Sequence, residues 1–230
     1  ECNDLARELP EKLAELQNRW WEEAERHGVL PLDDRTLQLF GARFRPRSPH
    51  PADRRYVYRP PMSPMPGGPS AAIAGRAFDL TARVTRSAGD EGVLYATGTQ
   101  NSGVSIFVQD GRLVVDYNAF DEHTVVESNA PLPEGESTLM VSVRRGPKRT
   151  GSIRLTVDGE PAGETHLPFF MSMMSSVGPS IAEDHGSPVS TRYEAPFPFA
   201  GKLHEIQIQL LSREQAEAQD AEVRAEMSRQ

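Results

Sequence analysis

Apolar and polar residues alternate in several segments of the chain from residue 78 onward. Phe78, Leu80, Ala82 and Val84 alternate with Asp79, Thr81 and Arg83. Val104, Ile106 and Val108 alternate with Ser105, Phe107 and Gln109, and Leu113, Val115 and Tyr117 repeat the pattern. Leu139, Val141 and Val143 do so again, as do Ile153, Leu155 and Val157. A period of two is that of a half-buried strand. Further strands are predicted at 92–98, 124–128 and 201–211, the last carrying Leu203, Ile206, Ile208 and Leu210. Asp110-Gly111 and Asp158-Gly159 are hairpin signals, because the favoured two-residue turn needs positive φ at both central positions. A lone hairpin is not stable, so a second layer is required. Many short strands with hardly a helix between them predict a mainly β fold: an antiparallel two-sheet β-sandwich of jelly-roll or concanavalin-like type.

A different period opens the chain. Leu13, Leu16, Trp20 and Ala24 fall on one face of a helix over residues 10–27. Pro10 suits its first turn and Gly28 a left-handed stop. A single amphipathic helix of this length is marginal in water, so it is expected to pack on something, with a part of the protein outside this sequence preferred over the strands that follow. Proline then dominates, from Arg45-Pro46 through Tyr58-Arg-Pro-Pro61 to Pro64-Met-Pro-Gly-Gly-Pro69. That composition predicts a connecting arm with no helix or central strand. The boundaries are therefore a helical segment at 1–35, an arm at 36–75, a sandwich at 76–211 and a polar helical or disordered tail at 212–230. Residues 183–200 form a long loop, with Phe197 and Phe199 placed to plug the sandwich edge or another domain.

Charge and composition narrow the function. The net charge of −8 argues against a nucleic-acid partner. No apolar run is long enough to span a membrane. The chain starts Glu1-Cys2-Asn3-Asp4 without a methionine or a signal peptide, so it reads as a fragment or processed product. A single cysteine allows no intrachain disulfide, which fits a reducing compartment. No catalytic motif is present. Cys2 has neither a helix start nor a histidine beside it, and His27, His50, His123, His166, His185 and His204 lack zinc spacings. Asp116 falls on the solvent-facing register of its strand, with no second carboxylate at a defined distance for glycosidase chemistry. Asp184, Asn118 and Asp121 are candidate calcium ligands, against the simpler reading of solvated turn residues. Tyr95, Phe107, Tyr117 and Phe120 are the candidate aromatics for a sugar site, with core or interface packing as the plainer role. No catalytic, cofactor or metal residue is assigned.

Three segments resemble the C-terminal part of a bacterial arylsulfatase. The first is Glu1-Cys-Asn-Asp-Leu-Ala with Pro10-Glu-Lys-Leu-Ala-Glu-Leu16, Trp20-Trp-Glu-Glu-Ala24 and Val29-Leu-Pro-Leu-Asp33. The second is Gly92-Val-Leu94 with Asp110-Gly111-Arg-Leu113 and Tyr117-Asn118. The third is Gly186-Ser-Pro-Val189 with Ala195-Pro-Phe-Pro-Phe199. The resemblance implies a parent chain that hydrolyses sulfate esters with a formylglycine beside a calcium ion. Both would belong to an upstream catalytic domain, because the Cys/Ser-x-Pro-Ser-Arg motif is absent here and Cys2 precedes Asn-Asp-Leu-Ala. The first helix would then be the end of the catalytic region, and the sandwich a non-catalytic accessory domain. Its expected partners are the sulfatase domain of the same chain and a sulfated substrate or glycan, in a bacterial cell and in the cytoplasm rather than outside it. The alternative is a stand-alone carbohydrate-binding or interaction module.

Overall fold

Strand alternation produces two sheets, because each strand has one apolar edge to bury. The computed structural model describes residues 5–30, 53–67, 69–174 and 177–212. The chain forms two units, Glu1–Pro49 and His50–Gln230. The first contains helix α1 (Pro10–Arg26). Gly28 takes φ 67° after its last turn. The Gly28 amide donates to the Glu25 carbonyl and the Val29 amide to that of Ala24. Those two bonds are a Schellman motif, which satisfies carbonyls the helix leaves open. Ala24 is buried, but Leu13, Leu16 and Trp20 are 40%, 52% and 47% exposed.

The second unit is the sandwich. Its strands are β1 (Arg55–Tyr58), β2 (Phe78–Arg86), β3 (Gly92–Thr99), β4 (Ser102–Gln109), β5 (Arg112–Ala119) and β6 (Glu122–Glu127). They continue with β7 (Gly135–Arg145), β8 (Gly151–Val157), β9 (Glu160–Leu167), β10 (Ser180–Ile181) and β11 (Lys202–Leu210). One sheet has the order β1-β11-β2-β7-β8-β9 and the other β10-β3-β4-β5-β6. All strand pairs are antiparallel. The expected mainly β, two-sheet sandwich with one N-terminal helix is the observed fold. Among the described residues, no helix is long and apolar enough to cross a membrane.

The core lies between the sheets. Leu80, Val84, Val141, Val143 and Ile208 of one sheet meet Val104, Ile106, Leu113, Val115 and Tyr117 of the other. A bulge in β3 between Val93 and Tyr95 turns both Leu94 and Tyr95 into this core.

Three strands went unread in the sequence. β1 lies within the proline-rich stretch, where Tyr56 and Tyr58 join the core and the Tyr58 hydroxyl accepts from the Ala71 amide at 3.0 Å. β1 is an edge strand, the place where neighbouring prolines are tolerated. It brings the sandwich to start before residue 76. β9 (Glu-Pro-Ala-Gly-Glu-Thr-His-Leu) has too few apolar residues to show a period, and β10 is two residues long. Of the expected arm at 36–75 and tail at 212–230, residues 36–52, 68 and 213–230 fall outside the described residues.

Candidate functional site

The outer face of the five-stranded sheet holds the unexpected chemistry. Strand alternation places Ser105 and Phe107 of β4, and Val114, Asp116 and Asn118 of β5, away from the main core. Leaving Phe107 and Val114 in water would be costly, and the chain covers them instead. Residues 182–199 fold back over this face. The Val93 amide donates to the Phe197 carbonyl, the Asp184 amide to that of Pro196, and the Phe199 amide to that of Ala182. Tyr193 packs edge-on against Phe107 with ring centroids 5.1 Å apart and stacks on Phe197 at 5.2 Å. Val93, Ala96, Phe107, Val114, Val189 and Tyr193 form a second apolar cluster here, with Phe197 against it. Phe199 goes the other way, into the core between the sheets. At Gly92 (φ 127°) a Cβ would sit 2.3 Å from the Pro198 carbonyl oxygen, so only glycine lets the loop approach this closely.

The cover seals in polar groups that bond to one another. Asp116 is fully buried, which corrects the expectation of a solvent-facing acid: the register was outward, but the loop closes over it. Its Oδ2 accepts from Ser190 Oγ at 2.6 Å and from His123 Nδ1 at 2.9 Å. His123 Nε2 is buried and has no hydrogen-bond partner. Asp184 is buried as well, and its Oδ2 accepts from Tyr193 Oη at 2.6 Å and from the Val189 amide at 2.9 Å. Tyr193 Oη also bonds Ser105 Oγ at 2.7 Å. Loss of solvent raises the Asp184 pKa above the ordinary carboxylate value, and the bonds from Tyr193 and Val189 oppose that rise. Loss of solvent also raises the Tyr193 pKa, and the Asp184 carboxylate pushes it further up.

The calcium candidates do not come together as a site. Asn118 Nδ2 donates to the carbonyls of Gln100 and Val189, and its Oδ1 accepts from the Asp121 amide at 2.9 Å. Asp184 is spent on the loop. Asp184 and Asn118 are thus structural and buried rather than solvated, while Asp121 is exposed. Among the described residues, no three His, Cys, Asp or Glu side chains converge as metal ligands. Of the candidate aromatics, Tyr95, Phe107 and Tyr117 are buried. Burial pushes the Tyr117 pKa up to about 12, and its hydroxyl accepts from the Met171 amide. Phe120 alone of the four is open to solvent, at 58% exposure.

A groove of about 580 Å³ runs along the edge of this network. Gln100 and Asn101 line it from the β3–β4 turn, Asp121 and His123 from the β5–β6 hairpin, and residues 188–191 with Tyr193 from the covering loop. His123, Ser190 and Tyr193 were not singled out as a set by sequence reasoning. The signal was present in the outward register of β4 and β5, where Phe107 and Val114 demand a cover. Near-continuous apolar runs mark strands buried on both faces.

No family model and no curated protein matches the chain. Some solved structures are similar to part of the chain. Mouse laminin α1 chain domains LG4-5 match with a TM-score of 0.46 and 18% identity, over 70% of this chain and 41% of that one. NanB sialidase from Streptococcus pneumoniae matches with a TM-score of 0.48 and 15% identity, over 62% of this chain and 23% of that one. The galectin LEC-6 of Caenorhabditis elegans matches with a TM-score of 0.40 and 12% identity, over 66% and 94%. None of these three is a sulfatase. Likeness at this level concerns the sandwich alone and says nothing about ligand or activity.

Proposed function

We propose that this chain supplies a non-catalytic, lectin-like accessory domain to a larger enzyme of arylsulfatase type. The observation that carries the reading is α1. It is a helix closed at its C-terminus by the Schellman motif, yet Leu9, Leu13, Leu16, Trp20 and Trp21 are each at least 40% exposed. Each such side chain gains about 1.5–3 kcal/mol from full burial, and contiguous exposed apolar surface marks an interaction site. The same helix carries the residues that most resemble the end of a sulfatase domain. Within the sandwich, Asp116 and Asp184 are tied into internal bonds, which suits a structural role better than acid–base work. No residue of this chain is assigned to calcium or to formylglycine, and neither enters the function given to the sandwich.

The test is the mass of the native protein in its source cells, read on an immunoblot with antibody against this chain. A band far above 25 kDa, whose immunoprecipitate cleaves 4-methylumbelliferyl sulfate, supports the reading. A band near 25 kDa overturns it. Association with a separately expressed sulfatase domain, lost on Leu16→Glu with Trp20→Glu, locates the contact on α1.

A second reading is a carbohydrate-binding module. The groove beside the β5–β6 hairpin favours it, because it presents polar side chains and the same hairpin carries the exposed Phe120.

A further inference from the structure

Three two-residue hairpin turns of the sandwich are pairs of positive-φ residues, and the longer β7–β8 connection holds a further pair, Lys148-Arg149 (φ 51° and 63°). In β4–β5 the pair is Asp110-Gly111 (φ 51° and 70°), and in β8–β9 it is Asp158-Gly159 (φ 51° and 90°). In β5–β6, where Ala119 pairs with Glu122, it is Phe120-Asp121 (φ 61° and 71°). Left-handed backbone costs an L-residue about 1–2 kcal/mol, and a bulky aromatic is seldom found there. The chain twice uses Asp-Gly for the same geometry, so the hairpin itself does not require Phe120. Backbone strain that the fold does not need is a mark of functional positions. Here it holds an aromatic ring out in solvent, next in sequence to Asp121 in the groove.

The chemistry of the groove narrows the ligand. Its lining offers the exposed amide residues Gln100 and Asn101, the carboxylate of Asp121 and the hydroxyl residue Thr191. That is a mixture of donors and acceptors suited to adjacent hydroxyl groups. No Lys or Arg is among the described lining residues, while two acids lie in or under the groove: Asp121, and Asp116 beneath His123 and Ser190. A sulfated or phosphorylated ligand would meet negative charge there. The hairpin that lines the groove through Asp121 and His123 also carries the exposed Phe120, and an aromatic ring combined with hydroxyl-binding groups matches an uncharged sugar ring, whose C–H face is apolar and whose rim is polar.

We propose that this groove binds an unsulfated saccharide, with Phe120 as the stacking platform and Asp121, Gln100 and Asn101 as partners for its hydroxyls. The assignment rests on the binding-module reading of the sandwich, and it stands or falls separately from the sulfatase parentage.

The test titrates the 230-residue chain with maltohexaose, cellohexaose, xylohexaose and chitohexaose, and with a heparin-derived hexasaccharide as the sulfated probe. Binding is read by calorimetry and by amide shifts in 1H–15N spectra. The expected result is heat with at least one neutral hexasaccharide and shifts at residues 100–101, 121–123 and 188–191. Phe120→Ala should weaken that binding at least tenfold. Phe120→Asn with Asp121→Gly, which installs a favoured turn pair and also removes the Asp121 carboxylate, should weaken it at least as much while raising the melting temperature. The proposal is overturned if no neutral probe binds at millimolar concentration, if the sulfated probe is preferred, or if either variant binds as well as the parent. Those outcomes leave the immunoblot result untouched, so the two readings fail separately.

Discussion

Replacing Tyr193 with Phe removes one oxygen atom from the sealed outer face and little else. The ring keeps its contacts with Phe107 and Phe197 at 5.1 and 5.2 Å. Two hydrogen bonds disappear: the one donated to Asp184 Oδ2 at 2.6 Å and the one shared with Ser105 Oγ at 2.7 Å. The first goes to a buried carboxylate, and hydrogen bonds to charged groups contribute about 1.5–3 kcal/mol. The neutral bond to Ser105 adds about 1 kcal/mol, partly recovered if that hydroxyl finds another acceptor. The Asp184 carboxylate retains only the Val189 amide among its described hydrogen bonds. A net loss of about 2–3 kcal/mol is expected, which for a domain of this size lowers the melting temperature by about 4–12 °C. Urea unfolding followed by near-ultraviolet circular dichroism measures it. Adding Asp184→Asn should recover part of the loss, because the amide removes the buried charge. A Tyr193→Phe variant within about 0.5 kcal/mol of the parent, roughly the scatter of surface substitutions, would refute the claim that this network holds the loop down.

Asp184 also sets a pH dependence. Its folded pKa is raised, chiefly by loss of solvent, so the folded state keeps the proton to higher pH than the unfolded chain. Its contribution to stability therefore falls as pH rises from the ordinary carboxylate range through the raised value. The stability of the parent relative to Asp184→Asn should decline with pH over that window, and a relative increase would contradict the assignment. Gly92→Ala should destabilise by more than about 2 kcal/mol, since the new Cβ meets the Pro198 carbonyl oxygen at 2.3 Å and Phe199 Cα at 2.4 Å; denaturant midpoints check it, and limited proteolysis should cut within 183–199. Leu80→Ala, at a fully buried position between the sheets, should cost about 2–5 kcal/mol in the same unfolding assay. Gly159→Ala serves as a comparison, because no atom lies within 4 Å of its Cβ position and only the backbone cost at φ 90° remains.

Much of this architecture was written in local chemistry. A period of two assigns each residue of β2, β4, β5, β7 and β8 to one face or the other, because successive side chains in a strand point to opposite sides. Asp110-Gly111 and Asp158-Gly159 announced their hairpins, since few residues tolerate the positive φ that the turn needs. Helix α1 and its stop at Gly28 followed from a 3.6-residue period and one glycine. Tertiary structure decided what lies on each face. Asp116 faces outward whether that side is water or protein, and alternation cannot tell the two apart. Its burial depends on Ser190, which lies 74 positions away, and Ser105 meets Tyr193 across 88. Contacts at such separations are set when the chain closes a loop over the sheet, so no local period records them. β1, β9 and β10 escaped for a related reason: an edge strand draws its hydrogen bonds from a neighbour and needs little apolar pattern of its own. The groove of Gln100, Asp121, His123 and Ser190 exists only where the turn, the hairpin and the covering loop meet.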